Sequence, residues 1–169
     1  MLRSIATLAF VGLGAFALYD NFAEQTPDEP VSVTIYEGVP AIRDGDNVNI
    51  DGENIRLSGI DACELSQPAR MANREFDCGI WARDHFRDMI GPRSVRCEST
   101  ERDMYDKPLA TCYTGDRNLN RALVQNGYVF PYWTAEYEAE AEEAREARRG
   151  VWLFEEVEEP SEYRKRQRE

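Results

Sequence analysis

The chain lacks the residues that several common hydrolase and metal-binding classes need. Its 169 residues contain a single histidine, His85. It faces away from the apolar stripe of its predicted helix and is interpreted as a surface residue, which argues against a histidine-activated nucleophile and a histidine-based zinc centre. Its four cysteines form no Cys-x-x-Cys pair, which argues against a structural zinc site. The formal net charge of −12 argues against a broad basic surface for nucleic acid. Carboxylates and arginines therefore remain as the residues that can carry chemistry.

The sequence also has no apolar run of the roughly 20 residues that an ordinary membrane-spanning helix needs. Residues 5–19 are apolar and follow Arg3, a composition typical of a signal-peptide core or a short signal anchor. We interpret residues 1–22 as such a segment and residues 23–30 as a polar linker. Cleavage and retention as a membrane anchor remain alternatives. Either one predicts an extracytoplasmic protein, periplasmic or secreted.

The cysteines agree with export, because disulfides persist in oxidising compartments. Four cysteines allow three pairings. Cys97 ends one predicted strand and Cys112 lies in the next, so antiparallel pairing of these strands would bring the two sulfurs together. The remaining pair, Cys63 and Cys78, would then close a short loop. The alternative is a cytosolic protein with four reduced, buried thiols.

The apolar pattern predicts a mixed α+β domain over residues 31–155, followed by a charged tail over residues 156–169. Alternation of apolar and polar residues predicts mostly antiparallel strands, with a hairpin that turns at Asp51-Gly52. The predicted strands lie at residues 31–36, 39–43, 48–50 and 54–58, and near Val95 and Leu109.

Helical periodicity predicts three helices. The first covers residues 69–90, the second ends at Gly127, and the third is capped by Thr134. Glutamates are concentrated over residues 136–159, which we interpret as a solvated helix face. The basic residues 164–168 are interpreted as a disordered, solubilising end.

The most informative stretch is residues 55–64, with the sequence Ile-Arg-Leu-Ser-Gly-Ile-Asp-Ala-Cys-Glu. It places Arg56, Asp61 and Glu64 on one strand and the loop that follows, shortly after the turn Asp44-Gly45-Asp46. A hard cation prefers oxygen ligands such as carboxylates, and a phosphate fits the two-point fork of an arginine. A metal, a phosphate clamp and a carboxylate that handles water are the parts of a phosphodiester hydrolase.

These segments resemble the staphylococcal nuclease (thermonuclease) family. The resemblance covers most of the chain, and its five blocks occur in the family's order: residues 43–47, 55–64, 103–110, 119–128 and 148–152. It implies a five-stranded barrel of the OB-fold type with three α-helices. It also implies a Ca²⁺-dependent nuclease that hydrolyses DNA and RNA with low sequence specificity, and we expect it to act as a monomer.

The resemblance also implies roles for the carboxylates. Asp46 and Asp61 are expected to bind one Ca²⁺ ion together with the backbone carbonyl of Ala62, where the side chain does not matter. Asp44 is expected to bind a water molecule on the metal. Glu64 is the expected general base, which accepts a proton from the attacking water or orders that water.

Arg56 is the expected phosphate clamp, and here the sequence departs from the family pattern. The family carries a second arginine after a Tyr-Gly pair, whereas this chain has Tyr105-Asp106-Lys107. Lys107 keeps the charge but loses the planar fork, and Asp106 could pair with it. The second departure is Cys63, where the family usually has proline.

Aromatic residues offer a way to hold a nucleobase by stacking. Tyr105 and either Tyr132 or Trp133 could flank a base of single-stranded DNA or RNA, although aromatics at this spacing also occur in cores. Two interpretations remain. The chain is an exported nuclease, or it is an OB-fold binding module that kept the scaffold and lost efficient catalysis.

Overall fold

The computed structural model describes residues 32–133 and 135–169. The predicted signal segment and linker, and Thr134 as a helix cap, lie outside the described residues. Within the described part, no helix combines the length and the apolar character needed to cross a membrane.

The described residues form a run of short strands, followed from Cys78 onwards by helices with further strands between them. The strands are β1 (Thr34–Gly38), β2 (Ala41–Ile42), β3 (Asn47–Ile50), β4 (Glu53–Leu57), β5 (Ile60–Asp61), β6 (Pro68–Met71), β7 (Arg74–Asp77), β8 (Val95–Arg102), β9 (Pro108–Thr114), β10 (Arg117–Asn118) and β11 (Phe130–Pro131). The helices are α1 (Cys78–Ile90), α2 (Leu119–Gln125), α3 (Glu138–Glu146) and α4 (Pro160–Arg166), with a short 3₁₀-helix at Gly150–Leu153.

A mixed sheet forms the body of the domain, with the strand order β1-β8-β9-β4-β3-β2 and β10 paired to β9. Strands β4 and β9 run parallel, and the other neighbours run antiparallel. Two smaller pairs, β5 with β11 and β6 with β7, lie outside this sheet. The α+β prediction is confirmed. Among the described residues the sheet does not close into a barrel, so the predicted five-stranded barrel with three helices is not the observed architecture.

The predicted hairpin at Asp51-Gly52 is confirmed and leads directly to the site. Both turn residues have positive φ, 51° and 92°, which suits the tight turns that match strand twist. The turn sets the register of β3 on β4, so that Asn47 lies opposite Arg56. The hairpin therefore carries the Asp44–Asp46 turn to the same end of the sheet as Arg56.

The core lies between this sheet and helices α1, α2 and α3. It consists of fully buried aliphatic and aromatic side chains, among them Ile55, Leu57, Phe86, Leu123 and Tyr137. A buried amide joins the elements: Asn120 Oδ1 accepts from Cys112 N at 3.0 Å, and its Nδ2 donates to the carbonyls of Ser58 and Ala110 at 2.9 and 3.0 Å. These bonds lock the ends of β4 and β9 together beside the site.

The long first helix predicted over residues 69–90 is wrong in its first part. Residues 68–77 form the β6–β7 hairpin, which turns at Ala72 and Asn73 with positive φ of 50° and 60°. Helix α1 begins at Cys78, because Asp77 caps it by accepting from Ile80 N at 2.8 Å. An asparagine tolerates the left-handed conformation and favours turns, and this local chemistry prevails over a helical apolar pattern.

Both predicted disulfides are present, Cys63–Cys78 and Cys97–Cys112. Cys97 and Cys112 are register partners on β8 and β9, with Cα atoms 4.0 Å apart. The Cys63–Cys78 bridge ties the loop after β5 to the first residue of α1. The interpretation of residues 164–168 as a disordered end is wrong, since residues up to Arg166 belong to α4.

Candidate active site

The turn before β3 positions Asp46. Asp44 Oδ1 accepts hydrogen bonds from the backbone N–H groups of Asp46 and Asn47, at 3.3 and 2.8 Å. Gly45 is required by space, because a Cβ there would lie 2.6 Å from Ala62 Cβ. Its φ is not positive, so glycine is needed here for close packing and not for a left-handed backbone conformation. The turn therefore packs directly against the loop after β5.

Asp61 and Arg56 complete the centre of the site. Asp61 lies on β5, where it pairs with Phe130 of β11. Arg56 projects from β4 with one atom, Nη2, 3.4 Å from Asp46 Oδ2 and 3.4 Å from Asp61 Oδ1. Since one guanidinium reaches both carboxylates, the structure brings together the three residues that the sequence predicted as metal ligands and phosphate clamp.

The loop after β5 holds Glu64 through contacts that the sequence did not indicate. The buried side chain of Gln67 accepts from Glu64 N at 3.0 Å, and Gln67 N donates back to the Glu64 carbonyl at 2.9 Å. Gly79, in the first turn of α1, packs so closely that a Cβ there would lie 2.2 Å from the Glu64 carbonyl oxygen. With the Cys63–Cys78 bridge, these contacts fix the loop backbone beneath the Glu64 carboxylate.

Burial dominates the electrostatics of the two aspartates. Desolvation raises the pKa of Asp46 to about 7, with the nearby Arg56 charge opposing the rise. Desolvation also raises the pKa of Asp61, against hydrogen bonds and charge from Arg164. Two carboxylates held out of water in this way are costly to ionise, and cations beside them reduce that cost.

The oxygen atoms at the site fit a hard cation. Among the described residues, no group of three or more His, Cys, Asp or Glu side chains is arranged to hold a metal ion. Asp46 and Asp61 nevertheless provide two carboxylates beside one another, and Asn47 Oδ1 is buried there without a hydrogen-bond donor from the described residues. Carboxylate and amide oxygens are ligands that Ca²⁺ accepts. The site therefore offers a cation two side-chain carboxylates and a nearby orphaned oxygen.

An arginine that the sequence interpretation missed lies against these carboxylates. Arg164 of α4 places Nη1 2.8 Å from Asp61 Oδ1 and 2.8 Å from Glu64 Oε1, while its Nη2 lies 2.9 Å from Asp61 Oδ2. The hydrogen bonds to Asp61 raise the pKa of the guanidinium further above its ordinary value. The signal in the sequence was the basic run at residues 164–168, but nothing in it indicated where that run packs.

A groove of about 660 Å³ opens beside Arg56. Tyr132 and Trp133 line it, and their rings lie 5.7 Å apart. Trp133 is 91% exposed, so its face is available for stacking. Tyr105 does not line this groove, whereas the neighbouring Met104 does. The structure therefore brings two of the three predicted stacking residues to the groove.

The wall of the groove is acidic, which is unusual for a site that would bind a polyanion. Its other lining residues include Glu101, Asp103 and Glu136, against the single cation Arg56 among the residues that form it. Carboxylates at these positions repel phosphates that lack a bound cation. A cation at Asp46 and Asp61 would therefore matter for binding as well as for chemistry.

The turn that holds Lys107 is built around Asp103. Asp103 Oδ1 accepts from Tyr105 N at 2.8 Å and from Lys107 N at 2.9 Å. Asp106 has a positive φ of 63°, a conformation that suits glycine. Among the described residues Asp106 pairs with Arg102, at 3.6 Å, and not with Lys107. Lys107 is therefore not neutralised by its neighbour, but it is also not one of the residues that line the groove.

Comparison with known proteins finds one matching family and several relatives. A family model described as "Staphylococcal nuclease homologue" matches residues 54–153. The succinoglycan biosynthesis protein ExoI of Rhizobium meliloti (strain 1021) is 33% identical over 95 residues, which make up 53% of this chain and 49% of ExoI. The probable staphylococcal-like nucleases CAN2 and CAN3 of Oryza sativa subsp. japonica are 28% and 27% identical over 118 residues.

The matches cover only part of these relatives. The 118 residues shared with the rice proteins are 68% of this chain but 30% of CAN2 and 29% of CAN3. The chain thus spans about half the length of ExoI and less than a third of the rice proteins. The family match includes Arg56, Asp61, Glu64 and Lys107, whereas Asp46 and Arg164 lie outside the matched residues.

Proposed function

Because this chain belongs to the staphylococcal nuclease homologue family, whose model matches more than half of it, we propose that it is a Ca²⁺-dependent nuclease of low sequence specificity. It hydrolyses phosphodiester bonds of DNA and RNA, with single strands as the preferred substrate. The observation that carries the proposal is that Asp46 and Asp61 both contact Arg56, which lines an aromatic groove, while Arg164 links Asp61 to Glu64.

In this proposal each residue has one task. Asp46, Asp61 and the backbone carbonyl of Ala62 would hold Ca²⁺, and Asp44, which closes the turn, would bind a water molecule of the ion. When bound, the ion neutralises negative charge on the phosphate and polarises its oxygens. The shared contact of Asp46 and Asp61 with Arg56 supports this grouping.

Glu64 is the proposed general base. It takes a proton from the water that attacks phosphorus, while Arg56 stabilises charge on the phosphoryl oxygens. Lys107 adds a positive charge but a weaker phosphate contact, because an ammonium cannot form the two-point contact of a guanidinium. Tyr132 and Trp133 hold a nucleobase by stacking, which is tolerant of sequence. Tyr105 lies outside the groove and would contribute only if the bound strand extended towards it.

The second candidate is an OB-fold module that binds a polyanion or a protein and no longer catalyses efficiently. Two observations favour it. The groove wall is acidic, and the turn at Asp106 and Lys107 departs from the family pattern in both residues. Both features would affect the binding of the substrate and the rate of the reaction. The carboxylates that the reaction needs are present in either case.

The two disulfides support an extracytoplasmic location for the protein. We propose a periplasmic or secreted protein, with residues 1–22 as a cleaved signal or a membrane anchor. A monomer is the simplest form in which the groove stays open.

A degradation assay tests the proposed function. Plasmid DNA and RNA are incubated with the protein in Ca²⁺, in EGTA, and after Ca²⁺ is restored. The nuclease proposal predicts degradation in Ca²⁺, none in EGTA, and recovery on restoring the ion. Intact substrate under all three conditions, for protein with both disulfides formed, would contradict it and favour the binding module.

A further inference from the structure

The C-terminal helix α4 places a cation where the proposed function needs Ca²⁺. Arg164 contacts both carboxylate oxygens of Asp61, at 2.8 and 2.9 Å, through its two terminal nitrogens. The same Nη1 atom lies 2.8 Å from Glu64 Oε1. One guanidinium therefore engages a candidate metal ligand and the candidate base at once.

This contact engages both oxygens of Asp61. The Asp61 side chain is 2% exposed, and Arg56 Nη2 also lies 3.4 Å from its Oδ1. A metal ion needs at least one carboxylate oxygen at direct coordination distance. Because Arg164 donates to both oxygens and places its positive charge against them, Ca²⁺ and the docked Arg164 compete for Asp61.

The chain before α4 is held firmly to the domain. Phe154 packs edge-on against Phe76 and Trp81, with ring centroids 4.9 Å apart in both pairs. The Glu158 carbonyl accepts from the buried side chain of Gln67 at 2.7 Å, and Pro160 is buried. This segment anchors the base of α4 close to the carboxylates.

Beyond Pro160, few contacts hold α4 in place. Arg166 pairs with Glu158 and Lys165 with Glu162, so these two ion pairs stay within the C-terminal segment. Tyr163 Oη donates to the Ser66 carbonyl at a long 3.4 Å, and the helix has no side-chain cap. Seven residues are too few for a helix that is stable alone. The contacts of Arg164 with Asp61 and Glu64 are therefore the main attachment of the helix.

We propose that α4 is an intramolecular ligand of the catalytic carboxylates, and that Ca²⁺ binds only when Arg164 leaves Asp61 and Glu64. This inference rests on the proposed function in assigning Ca²⁺ to Asp46 and Asp61. The anchored segment keeps the local concentration of Arg164 high, so the docked helix lowers the apparent Ca²⁺ affinity. By linkage, bound Ca²⁺ weakens the docking of α4 by the same factor.

Calorimetric titration of Ca²⁺ into the full chain tests the proposal. Arg164→Ala should bind Ca²⁺ about tenfold more tightly than the wild type, because the competent state is no longer depleted. Arg166→Ala is the matched control: it removes an arginine of the same helix whose ion pair is with Glu158, and it should leave the affinity unchanged. An equal or weaker affinity in Arg164→Ala would overturn the proposal, as would no Ca²⁺ binding by any of the three proteins.

Hydrogen exchange in the wild type provides a second test that needs no variant. Saturating Ca²⁺ should increase exchange at the amides of residues 163–167, while the amides of β8 and β9 stay protected. Unchanged or slower exchange in α4, with Ca²⁺ bound, would overturn the proposal even if Arg164→Ala failed to fold.

The outcomes separate this inference from the proposed function. If Arg164→Ala gains Ca²⁺ affinity but no protein cleaves nucleic acid, α4 is a metal competitor and the nuclease proposal fails. If the wild type cleaves DNA only with Ca²⁺ while Arg164→Ala binds the ion no better, the nuclease proposal stands and the role of α4 fails.

Discussion

Asp46 is a buried carboxylate whose charge the proposed cation needs. Desolvation raises its pKa to about 7 from an ordinary 3.8, so without a cation the folded state favours the protonated form below about pH 7. The folded state therefore holds this proton more strongly than the unfolded state does. Stability from Asp46 is present at low pH and is lost as the pH rises from about 4 through about 7.

We predict that Asp46→Asn makes the protein more stable in EDTA at pH 8, by on the order of 1–2 kcal/mol, because it removes a buried charge. The difference from the wild type should shrink towards zero as the pH falls to about 4, where Asp46 is protonated in the unfolded state as well. Thermal unfolding across this pH range measures both. The same variant should lose Ca²⁺ binding by calorimetry.

Asp51→Asn is the matched control for this prediction. Asp51 lies on an exposed turn with a φ of 51°, which asparagine also tolerates. It should change neither stability nor Ca²⁺ affinity. A stability difference for Asp46→Asn that does not vary with pH, or retained Ca²⁺ affinity, would contradict the account of Asp46.

Lys107 and Asp106 mark where the site departs from its family. We predict that Lys107→Arg raises turnover about tenfold, because it restores a two-point phosphate contact. Adding Asp106→Gly should raise it further, since Asp106 holds a φ of 63° that suits glycine. Steady-state cleavage of a labelled oligonucleotide measures the gain.

Two further variants define this prediction. Lys165→Arg makes the same change on α4, where the lysine pairs with Glu162, and it should leave turnover unchanged. Adding Glu64→Gln to the double variant should abolish the gain, because the clamp acts on an activated water. A double variant no faster than the wild type would argue that Lys107 lies outside the reaction.

The central side chains of the site could be predicted from the sequence, whereas its supporting residues could not. Arg56, Asp61 and Glu64 are close in sequence on one strand and its loop, so their proximity follows from local structure. Arg164 reaches the site from an element distant in sequence, and Gln67, although close to Glu64 in sequence, is oriented by its bond to the distant Glu158 carbonyl. Their side chains carry no local signal of where they pack.

At the scale of elements, the loop between β5 and β6 depends on the Cys63–Cys78 bridge. This bridge stands where the family usually has a proline, and it joins the Glu64 loop to α1. We predict that Cys63→Ala/Cys78→Ala lowers turnover about tenfold or more, because a loosened loop misplaces the base. Turnover measured well below the unfolding temperature checks this.

The second bridge is the natural control. Cys97→Ala/Cys112→Ala removes a disulfide of similar loop length from β8 and β9, and each removal should cost about 2–4 kcal/mol of stability. Its turnover should stay close to that of the wild type in conditions where both variants are folded. Equal losses of turnover would show that the first bridge serves stability alone.

The type of an element could be predicted from the sequence where the turn residues and the apolar periodicity indicated the same structure. The hairpin at Asp51-Gly52 and the helix that precedes Gly127 both had matching local signals, and both are confirmed. The β6–β7 hairpin was missed because Ala69 and Phe76 also fit a helical spacing. Helix α4 was missed because its position depends on ion pairs with Asp61 and Glu64. A pattern of apolar residues in the sequence does not indicate such ion pairs.

At the scale of the whole molecule, acidity limits how the protein can hold nucleic acid. The formal net charge is −12, and Arg56 is the cation among the groove-lining residues that the structure describes. We predict a weak salt dependence for single-stranded DNA bound to Glu64→Gln with fixed Ca²⁺, with a log–log slope of about −1. Fluorescence anisotropy over a range of KCl concentrations measures it.

The slope of the salt dependence also shows whether nucleic acid binds to surfaces outside the groove. A value of about −4 or steeper would mean that several phosphates are neutralised outside the groove. The basic residues of α4 would then be the first to test, by comparing Arg166→Ala with the parent protein. Such a result would contradict a groove that binds through one guanidinium, a cation and stacking.

The central claim is that Glu64 activates water at a Ca²⁺ site built on Asp46 and Asp61. The most direct test is the rate of hydrolysis of labelled single-stranded DNA in saturating Ca²⁺ by the wild type and by Glu64→Gln. Glu146→Gln, a change on the exposed end of α3, is the control. The account predicts that Glu64→Gln is slower by about 100-fold or more, with Glu146→Gln unchanged. Hydrolysis by Glu64→Gln at the wild-type rate, or no hydrolysis by the wild type, would contradict it.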